Sequence, residues 1–156
     1  MKRLTLLVLM AGGFLWHSAS AQVKVNLDVN IGNQPLWGPT GYDHAEYYYL
    51  PEYDVYYDVP HKKYIYWNNG RRISAATLPS RYHADLYHTY KVVENEPSPW
   101  NHHKDDISKY SQYKGRHDQG PIRDSHEEKY WQIKGHPDHS KWKGNGHDNG
   151  HGNGHH

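Results

Sequence analysis

The sequence contains no cysteine, a single phenylalanine and no run of about 18 consecutive apolar residues. The absence of cysteine excludes disulfides, thiol catalysis and iron–sulfur clusters. The absence of a long apolar run argues against a transmembrane helix. Neither sign of charge is in excess, with 18 Lys and Arg against 17 Asp and Glu, whereas a dedicated nucleic-acid-binding domain is usually strongly basic. What is present is a polar chain of 156 residues with 15 tyrosines and 15 histidines.

The first 21 residues have the three-part pattern of a secretory signal peptide. Lys2 and Arg3 precede an apolar stretch over residues 4–16, and Ala19-Ser20-Ala21 supplies the small residues that signal peptidase requires. The alternative is an uncleaved anchor, but about 13 apolar residues are too few to span a bilayer. We therefore expect cleavage before Gln22, export to the periplasm or outside the cell, and no transmembrane segment in the mature chain.

The distribution of apolar residues divides the mature chain. Residues 22–94 hold 12 of the 15 tyrosines and most Val, Leu and Ile residues, whereas the only aliphatic residues after position 94 are Ile107, Ile122 and Ile133. Three aliphatic side chains cannot offset the entropy lost when so long a segment becomes ordered. We therefore expect a Tyr- and Trp-rich β domain over 22–94, a polar linker with short helical segments over 95–135, and a disordered His/Gly/Asn-rich tail over 136–156.

The predicted fold class is mainly β: a small antiparallel β-meander with one short helical turn, followed by a largely disordered extension with possible short helices. Strict alternation of apolar and polar residues over 23–31 indicates a half-buried strand. Aromatic and β-branched runs over 46–50, 53–59, 63–67 and 71–74 are separated by Pro, Asn and Gly, as in a meander. Asn69-Gly70 predicts a type I′ hairpin turn. A helical turn is expected at 77–82, a last strand within 86–93, and short helices at 106–114 and 127–134, the second opened by a capping box at Ser125 and Glu128.

Several of these runs also carry a resemblance. The segments LPEYDVYYD at 50–58, YIYWNNG at 64–70, LP at 78–79 and DLY at 85–87 resemble a group of small exported bacterial proteins that are rich in tyrosine and end in a His-rich tail. The resemblance covers roughly residues 23–93. It implies export and the two-part layout, and because the group has no established activity, it provides no catalytic residue to transfer.

The tyrosines and tryptophans give the first candidate site. Aromatic rings can form the core, because each buries a large apolar area while its polar atom reaches a partner, or they can form an exposed binding surface. For the second role the sequence points to Trp67, Tyr64, Tyr66 and Tyr56. In an exported bacterial protein, an envelope polysaccharide or protein is the natural partner of such a surface.

The histidines give the second candidate site. Short His-rich tracts can bind Ni, Zn or Cu, and neutral imidazole is a common ligand for these ions. The residues concerned are His136, His139, His147, His151, His155 and His156. The alternative is a solubilising, pH-sensitive tail without a physiological ion. No cofactor is required by the sequence, and a weakly bound transition metal is the only one it suggests.

The sequence contains none of the motifs that mark nucleophilic, zinc-hydrolase, P-loop or dinucleotide-dependent enzymes. We therefore expect an exported, non-enzymatic protein with a binding or structural role in the bacterial envelope. The alternative function is metal binding or buffering through the His-rich tail.

Overall fold

The computed structural model of the protein describes residues 29–144. The predicted signal peptide, residues 22–28 of the predicted domain, and four of the candidate metal ligands (His147, His151, His155 and His156) lie outside this range.

Residues 29–144 form five β-strands: β1 (Tyr47–Leu50), β2 (Val55–Asp58), β3 (Lys63–Asn68), β4 (Arg71–Ala75) and β5 (Val92–Glu94). One α-helix, α1 (His103–Lys109), follows β5. Short 3-10 helices lie at Ile31–Asn33, Ser80–Tyr82, Pro99–His102, Ser111–Tyr113, Ile122–Asp124, Glu128–Tyr130 and His139–Lys141.

The five strands belong to one antiparallel sheet in the order β4-β3-β2-β1-β5. β1 to β4 form a meander, and β5 returns to the far edge, where Val93 pairs with Tyr48. The β3–β4 turn has positive φ at both Asn69 (49°) and Gly70 (73°), as a type I′ turn requires. The predicted mainly β meander and its Asn-Gly turn are therefore confirmed.

One face of the sheet is packed mainly with tyrosine rings. Tyr48, Tyr57 and Tyr64 lie in register on β1, β2 and β3. Trp37 packs across them, and its ring meets that of Tyr57 edge-on with the centroids 4.7 Å apart. The segment after β4 covers the rest of this face through Leu78, Tyr82 and Leu86.

The opposite face is covered by the segment that follows β5. Tyr49, Tyr56 and Ile65 lie in register on β1, β2 and β3. Tyr110 at the end of α1 is buried against them, with its ring centroid 5.7 Å from that of Tyr49. Because both faces are covered, every residue of β2 is buried, whereas a half-solvated strand would alternate.

A third cluster joins the two ends of residues 29–144. Ile31 packs with Ile122, Tyr130 and Ile133, which come from the C-terminal part of this range. Backbone hydrogen bonds connect residues 36–40 with 120–123: the Ile122 amide donates to the Gly38 carbonyl at 2.8 Å, and the Thr40 amide donates to the Gly120 carbonyl at 3.2 Å.

Residues 95–144 differ from the expectation of a polar, largely disordered extension. They contribute Tyr110, Ile122, Tyr130, Ile133 and His136 to the buried residues. The helix predicted at 106–114 is present as α1 and the 3-10 helix after it, whereas residues 127–134 hold only the 3-10 helix Glu128–Tyr130. The first segment packs on the sheet, and the second packs on residues 31–41. The physical reason is that tyrosine rings supply apolar area that a count of aliphatic residues leaves out.

Several short elements also differ from the sequence-based expectation. Val29 is 69% exposed and lies outside any strand, and Ile31 begins a 3-10 helix, so the strand predicted to run to residue 31 is absent from residues 29–31. The capping box does not form, because the Ser125 hydroxyl accepts from the Glu127 amide at 3.2 Å, and only a 3-10 turn follows. None of the helices within 29–144 is long and apolar enough to cross a bilayer.

Candidate functional site

An open groove of about 390 Å³ lies beside the start of α1, on the face of the sheet that carries Tyr56. Its volume is within the range of about 300–1,000 Å³ that is typical of small-molecule sites. Trp67 of β3 forms one part of the lining. The rest comes from the 3-10 helix before α1 and from the first turn of α1, through Trp100, Asn101, His102, His103, Lys104 and Asp105.

Trp67 is held in place by a stacked histidine. The His103 ring lies 3.7 Å from the Trp67 ring, centroid to centroid, at an interplanar angle of 12°. The His103 Nδ1 is buried and accepts or donates no hydrogen bond within residues 29–144. Burial lowers the pKa of His103, although the carboxylates of Asp54 and Asp106 favour its charged form. The stacked imidazole is therefore neutral at pH 7.

Trp100 forms the other aromatic part of the groove. Tyr47 meets it edge-on at a centroid distance of 5.5 Å, and the Arg72 guanidinium carbon lies 5.0 Å from its ring centroid. Arg72 is the cross-strand partner of Trp67 in the β3–β4 hairpin. The residue directly opposite Trp67 on the neighbouring strand therefore contacts Trp100.

Hydrogen bonds below the groove fix α1 on the sheet. The Tyr56 hydroxyl donates to Asp106 Oδ2 at 2.5 Å, and both residues are buried. Burial, followed by this hydrogen bond, raises the pKa of Tyr56, so the phenol stays protonated and remains a donor. The Tyr110 hydroxyl donates to the Glu94 carboxylate, which connects the end of α1 to β5. The groove is thus lined by side chains on rigid elements.

A second cavity of about 300 Å³ lies on the other side of the same helical segment. It is lined by carboxylates, His102, Pro99 and Lys109, the carboxylates being those of Glu94, Glu96, Asp105 and Asp106. Two of these already accept hydrogen bonds from tyrosines. In the part of the chain that the structure describes, no group of three or more His, Asp or Glu side chains has the geometry to hold a metal ion.

The four residues predicted to form an aromatic surface lie on two opposite faces. Trp67 and Tyr56 share the face of the groove, but Tyr56 is fully buried beneath it. Tyr64 and Tyr66 face the other side, where Tyr66 is 7% exposed and burial raises the pKa of Tyr64 to about 12. Trp67 is therefore the only one of the four that lines the groove.

Two of the predicted metal ligands lie within the described residues, and both are used in hydrogen bonds. His136 is buried; its Nε2 lies 3.2 Å from the Ile122 carbonyl, and its Nδ1 accepts from the Asp138 amide at 3.0 Å. His139 is exposed, and its Nδ1 lies 2.6 Å from the Trp131 carbonyl. To bind an ion, the buried His136 would have to give up the hydrogen bond at the ring nitrogen that becomes the ligand.

Sequence reasoning missed Trp100, His103 and Arg72. The position of Arg72 could have been found, because a two-residue turn at 69–70 pairs residue 72 with residue 67. No sequence signal places residues 100 and 103 over β3, since this depends on how a segment some 30 residues further along the chain docks on the sheet.

The chain was compared with models of protein families, with curated proteins and with solved structures, and no match was found.

Proposed function

We propose that the protein is an exported, non-enzymatic binding protein of the bacterial envelope, and that the groove between Trp67 and Trp100 takes a polysaccharide. Export rests on the three-part pattern of residues 1–21, and the non-enzymatic role rests on the absence of catalytic motifs from the sequence.

The observation that carries the proposal is the pair of half-buried tryptophans in one open groove. Indole rings provide flat apolar surfaces that complement the C–H faces of sugar rings, and they lose little entropy on binding when their neighbours already fix them. Here His103 stacks on Trp67, and Tyr47 and Arg72 pack on Trp100. Asn101, His102, Lys104 and Asp105 add polar groups that can bind hydroxyls.

The test is binding of the full mature chain to polysaccharide purified from bacterial envelopes. Trp100→Ala should lower the affinity about tenfold or more, as truncation of a central tryptophan does in many interfaces. Trp142→Ala is the matched control, because Trp142 is also half-buried but lies outside the groove. If folded Trp67→Ala and Trp100→Ala variants both bind as tightly as the wild type, the groove is not the binding site.

A further inference from the structure

We infer that the polysaccharide taken by this groove is acidic, with carboxylates on its pyranose rings, and that Arg72 is the residue that binds them. This inference rests on the proposed function and adds the chemical class of the ligand. The observation behind it is a guanidinium that lies on the ring of Trp100 with no carboxylate paired to it within residues 29–144.

Arg72 differs from two other arginines that lie over aromatic rings. Arg116, over Tyr90 and Tyr113, pairs with Asp118, and Arg123, over Tyr87, pairs with Asp124. In those pairs the N–H groups of the guanidinium are already used by a carboxylate. Arg72 is exposed and keeps these donors for a ligand, while its guanidinium contacts the Trp100 ring. A guanidinium placed in this way favours bidentate binding of a carboxylate.

The other charges of the groove favour the same ligand. Lys104 is exposed, lines the groove and forms no ion pair within residues 29–144, and Asp105 is the only carboxylate in the lining. The carboxylates of Glu94 and Glu96 line the neighbouring cavity and not the groove. Arg72, which contacts Trp100 beside the groove, and Lys104 in its lining carry two positive charges against the one negative charge of Asp105, and this excess complements an anionic ligand.

A uronic acid ring fits both features of the groove. Its C–H face can lie on an indole, and its carboxylate projects from the ring toward a cation beside that indole, a place that Arg72 takes next to Trp100. A neutral sugar would use only the indoles, and an anionic polymer without sugar rings would use only the cations. The combination therefore distinguishes a uronate polymer from both.

The experiment measures binding of the full mature protein to three probes: polygalacturonate, its fully methyl-esterified form, and poly-L-glutamate. The ester keeps the sugar rings and removes the charge, and polyglutamate keeps the carboxylates and removes the rings. We expect the wild type to bind polygalacturonate at least tenfold more tightly than either of the other two. Arg72→Gln should abolish most of this preference for the acid over the ester, and Trp100→Ala should weaken binding of both.

Arg81→Gln is the matched control, because Arg81 also lies over aromatic rings, those of Tyr66 and Tyr82, but on the opposite face of the sheet. It should bind all three probes as the wild type does.

The outcomes separate the two proposals. Equal binding of the acid and the ester, both dependent on Trp100, would overturn the acidic class and leave the groove as a glycan site. Equal binding of polyglutamate and polygalacturonate would overturn the inference in favour of a plain polyanion site. If the wild type binds none of the probes while its binding to envelope polysaccharide depends on Trp100, only the inference fails. If Trp100 affects neither the probes nor the envelope polysaccharide, the proposed function fails as well.

Discussion

The stack of His103 on Trp67 combines an apolar contact with a titratable group. The two rings stack at 3.7 Å, and the His103 Nδ1 is buried and has no hydrogen-bond partner among the described residues. Such a contact favours the neutral imidazole, because a charged ring loses hydration when it is buried. The rigidity of Trp67 in the groove therefore depends on the protonation state of its neighbour.

We predict that acidification weakens the folded state through His103. Its pKa is lowered in the folded protein, so below about pH 6.5 the unfolded chain binds a proton that the folded chain does not. The contribution of His103 to stability is thus complete above that pH and is lost as the pH falls toward its folded pKa. The free energy of unfolding in urea should decrease more between pH 7.5 and 5 for the wild type than for His103→Gln.

His102→Gln is the control for this experiment. It also removes one histidine, but at the exposed position next to His103. It should show the same decrease as the wild type. If the wild type and His103→Gln lose equal stability over this pH range, protonation of His103 is not coupled to folding.

His136 shows where composition alone is insufficient at the residue scale. The sequence groups it with five other histidines as a metal ligand, but the fold uses one ring nitrogen at the Ile122 carbonyl and the other at the Asp138 amide. The amide donates to Nδ1, which assigns the proton to Nε2. A count of histidines contains no information on which ring nitrogens are already used, since that depends on contacts between residues 14 positions apart.

At the scale of elements, the two edges of the sheet are protected in different ways. At the β5 edge, the Gln119 side chain binds the backbone of Lys91, the residue just before the strand: its Oε1 accepts from the Lys91 amide at 2.9 Å, and its Nε2 donates to the Lys91 carbonyl at 3.0 Å. At the other edge, β4 has Arg71 and Arg72, and charged side chains discourage pairing with another sheet. Both devices satisfy or protect backbone groups that an edge strand leaves open.

We predict that Gln119→Ala destabilises the protein by about 1–3 kcal/mol, because it leaves a donor and an acceptor of the buried Lys91 without partners. Chemical denaturation of the two proteins at pH 7 measures this difference. Gln119→Glu should be intermediate, since a carboxylate can accept from the amide but cannot donate to the carbonyl.

Gln112→Ala provides the comparison for Gln119, because Gln112 is exposed and makes one long hydrogen bond of 3.4 Å to the Lys109 carbonyl. Gln112→Ala should lower the free energy of unfolding by less than about 0.5 kcal/mol, as most surface substitutions do. Equal effects at positions 112 and 119 would show that Gln119 does not support the edge of the sheet.

The elements that sequence analysis predicted well are those specified by local chemistry. The Asn69-Gly70 turn depends on two residues that tolerate positive φ, and the strands around it depend on aromatic and β-branched runs. The elements it predicted poorly are set by distant partners. Ile31 would extend a strand by alternation alone, but in the fold it packs with Ile122 and Tyr130, and a 3-10 turn positions it there.

For the whole molecule, the important property is a core built largely from tyrosine. Tyr48, Tyr49 and Tyr56 are fully buried, and Tyr110 and Tyr130 join them from the segment that was expected to be weakly structured. A short aromatic helix is unstable in isolation, but it gains burial area once a sheet is present for it to pack on. A count of aliphatic residues underestimates how well a segment can fold when its apolar area is aromatic and it packs on a distant part of the chain.

We therefore predict that a chain ending at Glu94 does not fold cooperatively. Removing residues 95–144 exposes Tyr49, Tyr56 and Ile65, and burial of one large side chain contributes about 1.5–3 kcal/mol. Three such losses, together with the loss of the Ile31 cluster, remove a large share of the stability of about 5–15 kcal/mol that typical domains have. Near-UV circular dichroism and the dispersion of amide proton chemical shifts in NMR spectra should show no fixed tertiary packing in this fragment.

The chain ending at Gly144 is the control, because it keeps every contact described above, and it should unfold in one cooperative transition. A fragment of residues 22–94 with a native-like spectrum and a cooperative transition would show that the sheet supports its second face without α1. The groove would then be built on a detachable segment, and deletion of residues 95–144 should abolish polysaccharide binding while the sheet stays folded. If the fragment is unfolded, as we expect, binding and folding are lost together, and only point substitutions such as Trp100→Ala can separate them.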